Sequence, residues 1–106
     1  MTVKTYNKLV RDRIPEIIEA SGNRCTTETL SDAQYLDMLD RKLDEELAEY
    51  RRDQTLEELA DLLEVLRAAT AARGYTPDEL ERVCAEKREK RGGFEKKIFL
   101  KEVYEA

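Results

Sequence analysis

Glu45-Glu46-x-x-Glu49 and Glu58-x-x-Asp61 gather five carboxylates into two tight groups on either side of a short polar break at Asp53-Gln54. Within a helix, residues three apart lie one above the other, about 4.5 Å along the axis. A break this short between two helices implies an antiparallel hairpin. With the pivot between Asp53 and Gln54, Glu49 faces Glu58 and Glu46 faces Asp61, with Glu45 beside them. Contacting helix axes lie roughly 8–10 Å apart, so these carboxylates converge across the hairpin. Like charges so close raise one another's pKa and weaken the fold unless a cation neutralises them. An all-oxygen set suits a hard divalent ion, Mg²⁺ with Mn²⁺ as the alternative, and Mg²⁺ shares its coordination with waters and substrate phosphates. Glu46, Glu49, Glu58 and Asp61 are therefore the candidate ligands. Glu45 and Glu46 are the candidate catalytic residues, with Glu45 at the rim to orient or deprotonate water. The same residue types also make an ordinary solvated helix face, with Arg51, Arg52 and Arg67 as partners. Against that, Asp61 sits inside Leu59-Ala60-Asp61-Leu62-Leu63 and Glu58 shares a helix face with Val65, so neither is on a plainly polar side.

The elements that must carry these groups are helical. Leu36, Leu39, Leu43, Leu47 and Tyr50 repeat at three-then-four spacing, one apolar stripe on a long helix opened by the capping box Ser31-x-x-Gln34. Thr55-x-x-Glu58 opens the second arm, which runs to Arg73 and stops at Gly74, a left-handed C-cap. Its apolar residues Leu59, Leu62, Leu63, Val65, Leu66 and Ala69 cover an arc wider than one antiparallel neighbour needs, which points to a second copy of the chain. Thr76-Pro77-Asp78-Glu79 starts another helix, with Leu80, Val83 and Cys84 on its apolar face and Lys87, Arg88, Lys90 and Arg91 in its basic end. Those cations complement a helix C-terminus, or else Lys87 and Arg91 reach substrate phosphate beside the Gly92-Gly93 break. A short helix begins at Ile14-Pro15, runs to about Ala20 and ends at Ser21-Gly22-Asn23. Before it, Met1 to Arg13 reads as an extended arm whose Lys8, Arg11 and Arg13 are surface charge or, for Lys8 and Arg11, phosphate contacts. From Lys97 onward Ile98, Leu100 and Val103-Tyr104, set among charged residues, read as an extended segment that could pair with the arm.

A chain of 106 residues is one domain, 1–106, and with 41% charged and 7% aromatic residues it is short of core-forming surface. Net charge −5 disfavours nucleic-acid polymers and anionic membrane surfaces. The lack of a long apolar run or a signal-peptide core fits a cytoplasmic protein with no membrane association. Cys25 and Cys84, without close companions, read as free thiols. The absence of histidine excludes a zinc-hydrolase site, a Ser-His-Asp triad and a histidine base.

Glu45-Glu46-x-x-Glu49 with Glu58-x-x-Asp61 resembles the motif of the all-α nucleoside triphosphate pyrophosphohydrolases, a superfamily of MazG-like and phosphoribosyl-ATP pyrophosphohydrolases. The ends, Tyr6-Asn-Lys-Leu-Val-Arg-Asp-Arg-Ile-Pro-Glu-Ile-Ile18 and Lys90-Arg-Gly-Gly-Phe94, resemble a small branch of predicted house-cleaning enzymes. The spacer between Glu49 and Glu58 is eight residues, shorter than is usual there, and reads as a hairpin cut back by about a turn on each side. The resemblance implies a mainly α fold, a helical hairpin assembling into a bundle with short extended N- and C-terminal segments. It also implies Mg²⁺-dependent cleavage of a nucleoside triphosphate between the α- and β-phosphates, giving a monophosphate and pyrophosphate, by a homodimer or homotetramer. Alternatives are a phosphoribosyl-ATP enzyme with the same metal site and a non-catalytic helical interaction module.

Overall fold

Cap residues set the boundaries of the helices. In a computed structural model that describes residues 2–106, α1 spans Ile14–Ala20, α2 Asp32–Asp53, α3 Leu56–Ala72 and α4 Pro77–Arg91, and there is no strand among the described residues. The fold is all-α. At the start of α2, the Gln34 backbone N–H donates to Ser31 Oγ at 3.2 Å while the Ser31 N–H donates to Gln34 Oε1 at 3.1 Å, a complete capping box. Thr55 and Thr76 cap α3 and α4 through the N–H groups of Glu58 and Glu79. At the end of α3 the N–H of Gly74 donates to Ala71 and that of Tyr75 to Thr70, with Gly74 at φ 89°, as expected for a left-handed stop.

The hairpin turn is tighter than its polar composition announces. Gln54 and Thr55 alone separate α2 from α3, and Gln54 takes a left-handed φ of 53° that reverses the chain. The two helices then pack along each other, with Leu39 and Val65 buried between them. α3 divides its wide apolar arc in two. Val65 faces α2, whereas Leu56, Leu59, Leu63 and Leu66, at three-four-three spacing, form a separate stripe left at least 43% exposed. α4 touches α3 alone and carries no buried residue. The molecule is therefore drawn out to 68 Å, with a radius of gyration of 18.8 Å against about 13 Å for a globule of this length.

Such a thin core makes each buried residue matter. Leu39→Ala is expected to cost about 2–5 kcal/mol, the usual range for truncating a buried leucine, and so to melt much of the helix content. A circular-dichroism thermal scan measures it; an unchanged midpoint would place the stability elsewhere.

Among the described residues both chain ends lack regular structure, and their expected pairing is not formed. Ile98 and Leu100 stay 81% and 73% exposed, with no strand at either end among the described residues. A strand needs an edge to bond to, and the arm that was to supply it is drawn onto the helices instead. Met1, the first residue of the expected arm, lies outside the described residues. Among the described residues, no helix is long and apolar enough to cross a membrane. Cys25 is half-buried and Cys84 exposed, both as free thiols.

Candidate metal centre

The hairpin register brings Glu46 from α2 to Glu58 and Asp61 from α3, and one carboxylate oxygen of each lies within 4.8 Å of the others. Glu46 is only 6% exposed although it is ionisable, because its position on α2 faces α3 two turns beyond the buried Leu39. Its Oε2 and that of Glu58 are both shut off from solvent and have no hydrogen-bond partner. Thr55 explains why Glu58 is free. Its hydroxyl takes the Glu58 backbone N–H, but the Glu58 carboxylate does not return to close the expected capping box, and it turns to the cluster instead.

Glu49 stands beside this trio rather than within it. Its carboxylate is close enough to Glu46 and Glu58 to push both upward in pKa, though its oxygens are not among those that converge. Burial is the larger cause for Glu46, with the Glu49 carboxylate next and Lys42 opposing. For Glu58, local desolvation comes first and the charges of Glu49, Asp53 and Asp61 follow. A glutamate whose folded pKa is raised takes up its proton in the folded state before the unfolded one does. Between the ordinary glutamate range and the raised values, stability therefore rises as pH falls. In EDTA the melting temperature is expected to be higher near pH 5.5 than near pH 7.5, and saturating Mg²⁺ is expected to erase the difference. A metal-free protein that melts higher at pH 7.5 would show that the cluster is not under repulsion.

Lys42 was not singled out by motif reading. It lies on α2, three residues before Glu45 and four before Glu46, and its Nζ is 3.3 Å from Glu45 Oε2 and 3.4 Å from Glu46 Oε1. With its side chain 15% exposed, it is an interior counter-charge that holds both carboxylates in place. The three-and-four spacing upstream of the Glu45-Glu46 pair was the available signal.

Each oxygen of Glu45 has a lysine donor. Lys8 Nζ donates to its Oε1 at 3.1 Å and Lys42 Nζ to its Oε2 at 3.3 Å. Partial burial pushes its pKa up, but the two lysines together outweigh burial and hold it below the ordinary range. So held, Glu45 is a weak proton acceptor, better suited to orienting a water than to deprotonating one.

The arm does reach the cluster. Besides the Lys8 contact, Arg11 Nη2 donates to Asp61 Oδ1 at 2.7 Å, across a sequence separation of 50 residues. Glu45 raises the Lys8 pKa by the hydrogen bond it accepts. Lys8 also lies 5.7 Å from the Tyr6 ring centroid. Under the arm, Asn7, Lys8, Leu9, Met38, Arg41, Lys42 and Glu45 line a cleft of about 160 Å³ next to the carboxylates.

Lys87 and Arg91 are not brought to this centre. α4 contacts α3 only, and none of its side chains pairs with the cluster among the described residues. They line a second cleft of about 340 Å³ with Cys84, Arg88, Gly92, Gly93 and Phe94, where Arg88 is ion-paired to Glu95.

Oxygen donors from three carboxylates, one of them buried and partly unpartnered, suit a hard divalent cation. Comparison with known proteins adds a relative but no function. An uncharacterized protein of Mycolicibacterium smegmatis (strain ATCC 700084 / mc(2)155) is 57% identical over 54 residues, covering 47% of this chain. The match takes in 55% of that protein, so the chain spans about half the length of the curated relative it matches. No family model matches the chain, and no solved structure matches it.

Proposed function

We propose that the protein is a Mg²⁺-dependent nucleotide pyrophosphohydrolase that cleaves a nucleoside triphosphate between its α- and β-phosphates and clears non-standard nucleotides. The observation that carries the reading is the convergence of Glu46, Glu58 and Asp61, with a buried Glu46 oxygen left without a partner. Retaining such a group weakens the free protein, which is reasonable where a ligand neutralises it. Glu46, Glu58 and Asp61 would hold the ion, with Glu49 completing the acidic wall. When bound, the ion supplies charge neutralisation on the phosphate oxygens and lowers the pKa of water. The chain's own residues do the rest. Lys42 fixes the Glu45 and Glu46 carboxylates, Glu45 orients a water by accepting its hydrogen bond, and Lys8 and Arg11 stand where anionic phosphate approaches. Lys87 and Arg91 lie off the cluster and are given no part in the reaction. The exposed leucine stripe of α3 supports a homodimer or homotetramer.

The test is release of pyrophosphate from a panel of standard and modified nucleoside triphosphates, with and without Mg²⁺. Turnover of one or more members, lost in EDTA, is the expected result. No turnover on any member would leave a helical interaction module as the better reading, and turnover of phosphoribosyl-ATP alone would identify the histidine-biosynthetic activity.

A further inference from the structure

The N-terminal arm is held to the helices by one carboxylate of the candidate metal centre, Asp61, and by Glu45 beside it. Arg11 takes Asp61 at 2.7 Å and Lys8 takes Glu45 at 3.1 Å. Apart from Leu9, which is half-buried, the described residues of the arm up to Arg13 are exposed, so these two pairs with Leu9 are its attachment. The Arg11–Asp61 pair is open to solvent, its side chains being 57% and 41% exposed, and the Lys8–Glu45 pair is partly so, and contacts of that kind are individually weak and reversible. Meanwhile Glu46, nine-tenths buried, points an unpartnered oxygen into the cluster. Within the trio, Asp61 has Arg11 and Glu46 has Lys42 on its Oε1, while the buried Oε2 atoms of Glu46 and Glu58 have no hydrogen-bond partner.

We propose that Arg11, assisted by Lys8, is the built-in counter-cation of the metal-free centre, and that a divalent ion displaces it and releases the arm. This rests on the reading of Glu46, Glu58 and Asp61 as a metal site. A guanidinium on Asp61 and a divalent cation among the three carboxylates stand a few ångströms apart and repel. Once the ion has neutralised Asp61, Arg11 loses its partner and the arm is left with Lys8 and Leu9 alone to hold it. The freed guanidinium then lies at the mouth of the site, where an incoming phosphate gives it a new partner. The arm is in this sense a strap that closes the empty centre and opens the loaded one.

A competing geometry gives the opposite sign. If Arg11 stayed on Asp61 as a supporting partner that orients the ligand, its removal would weaken metal binding, about ten- to a hundredfold for such contacts. The experiment titrates Mn²⁺ into the full chain and into Arg11→Gln by electron paramagnetic resonance at low salt, without nucleotide. Displacement predicts about two- to fivefold tighter binding in the variant, the size of a surface ion pair removed from competition. In the unmodified chain, saturating Mn²⁺ is expected to speed amide exchange over residues 7–12, and Asp61→Asn without metal to speed it equally. Unchanged or weaker Mn²⁺ binding by Arg11→Gln overturns the strap while leaving the metal site standing, as does slower exchange of the arm on loading. No Mn²⁺ binding by either protein overturns both.

Discussion

Asp61→Asn is expected to lower Mg²⁺-dependent turnover by about a hundred- to a thousandfold, roughly 2.7–4 kcal/mol of transition-state stabilisation. The amide keeps the shape and loses the charge. Asp61 is the α3 residue that both joins the convergent trio and carries an ion pair from the arm, so its charge serves the site from two sides. The fold depends on it little. Its one ion pair is largely exposed, which limits its contribution to about 0–1 kcal/mol. Helix content by circular dichroism is thus expected to stay near that of the unmodified chain while kcat/KM collapses. Calorimetric titration with Mg²⁺ separates the causes, and equal affinity in both proteins would remove Asp61 from the centre.

Leu66→Glu is expected to split the assembly. Leu66 is the last of the four leucines that α3 turns away from α2, and it remains 44% exposed in the single chain. The Leu56, Leu59, Leu63 and Leu66 spacing matches the seam along which helices pair with a partner helix. An unpaired carboxylate in such a seam costs several kcal/mol, about 3–5 for an uncompensated buried charge. At micromolar concentration the unmodified chain is expected to sediment as a dimer or larger and Leu66→Glu as a monomer or an unfolded chain. A compact monomer for the unmodified chain would show that the stripe is simply exposed.

Helix positions were legible from local chemistry. Ser31, Thr55 and Thr76 each announce a start, and Gly74 a stop, because caps satisfy backbone groups that the helix itself leaves open. The facing of Glu46 with Asp61 followed from the short turn, since two joined helices have little freedom in register. What could not be read was anything decided by competition between distant groups. Glu58 could close a capping box or join the cluster, and only the packed hairpin selects the second. Lys8 and Arg11 could hold phosphate or carboxylate, and without a ligand the nearest anions are Glu45 and Asp61. Ile98 and Leu100 carry a strand pattern, but pattern does not create an edge to pair with. The direction of α4 was equally hidden, because its basic end suits a helix terminus wherever that helix points.

Glu46 has a bearing on how variants of this chain should be chosen. A carboxylate held almost wholly out of water beside other carboxylates opposes folding of the metal-free protein, and an apolar residue of similar volume there would relieve it. Any library selected for thermal resistance or expression yield alone will therefore enrich substitutions at position 46, and with them the loss of the centre. On the proposed metal reading, selecting in the presence of a divalent ion is expected to reverse that bias, because position 46 then gains a ligand to offset its charge.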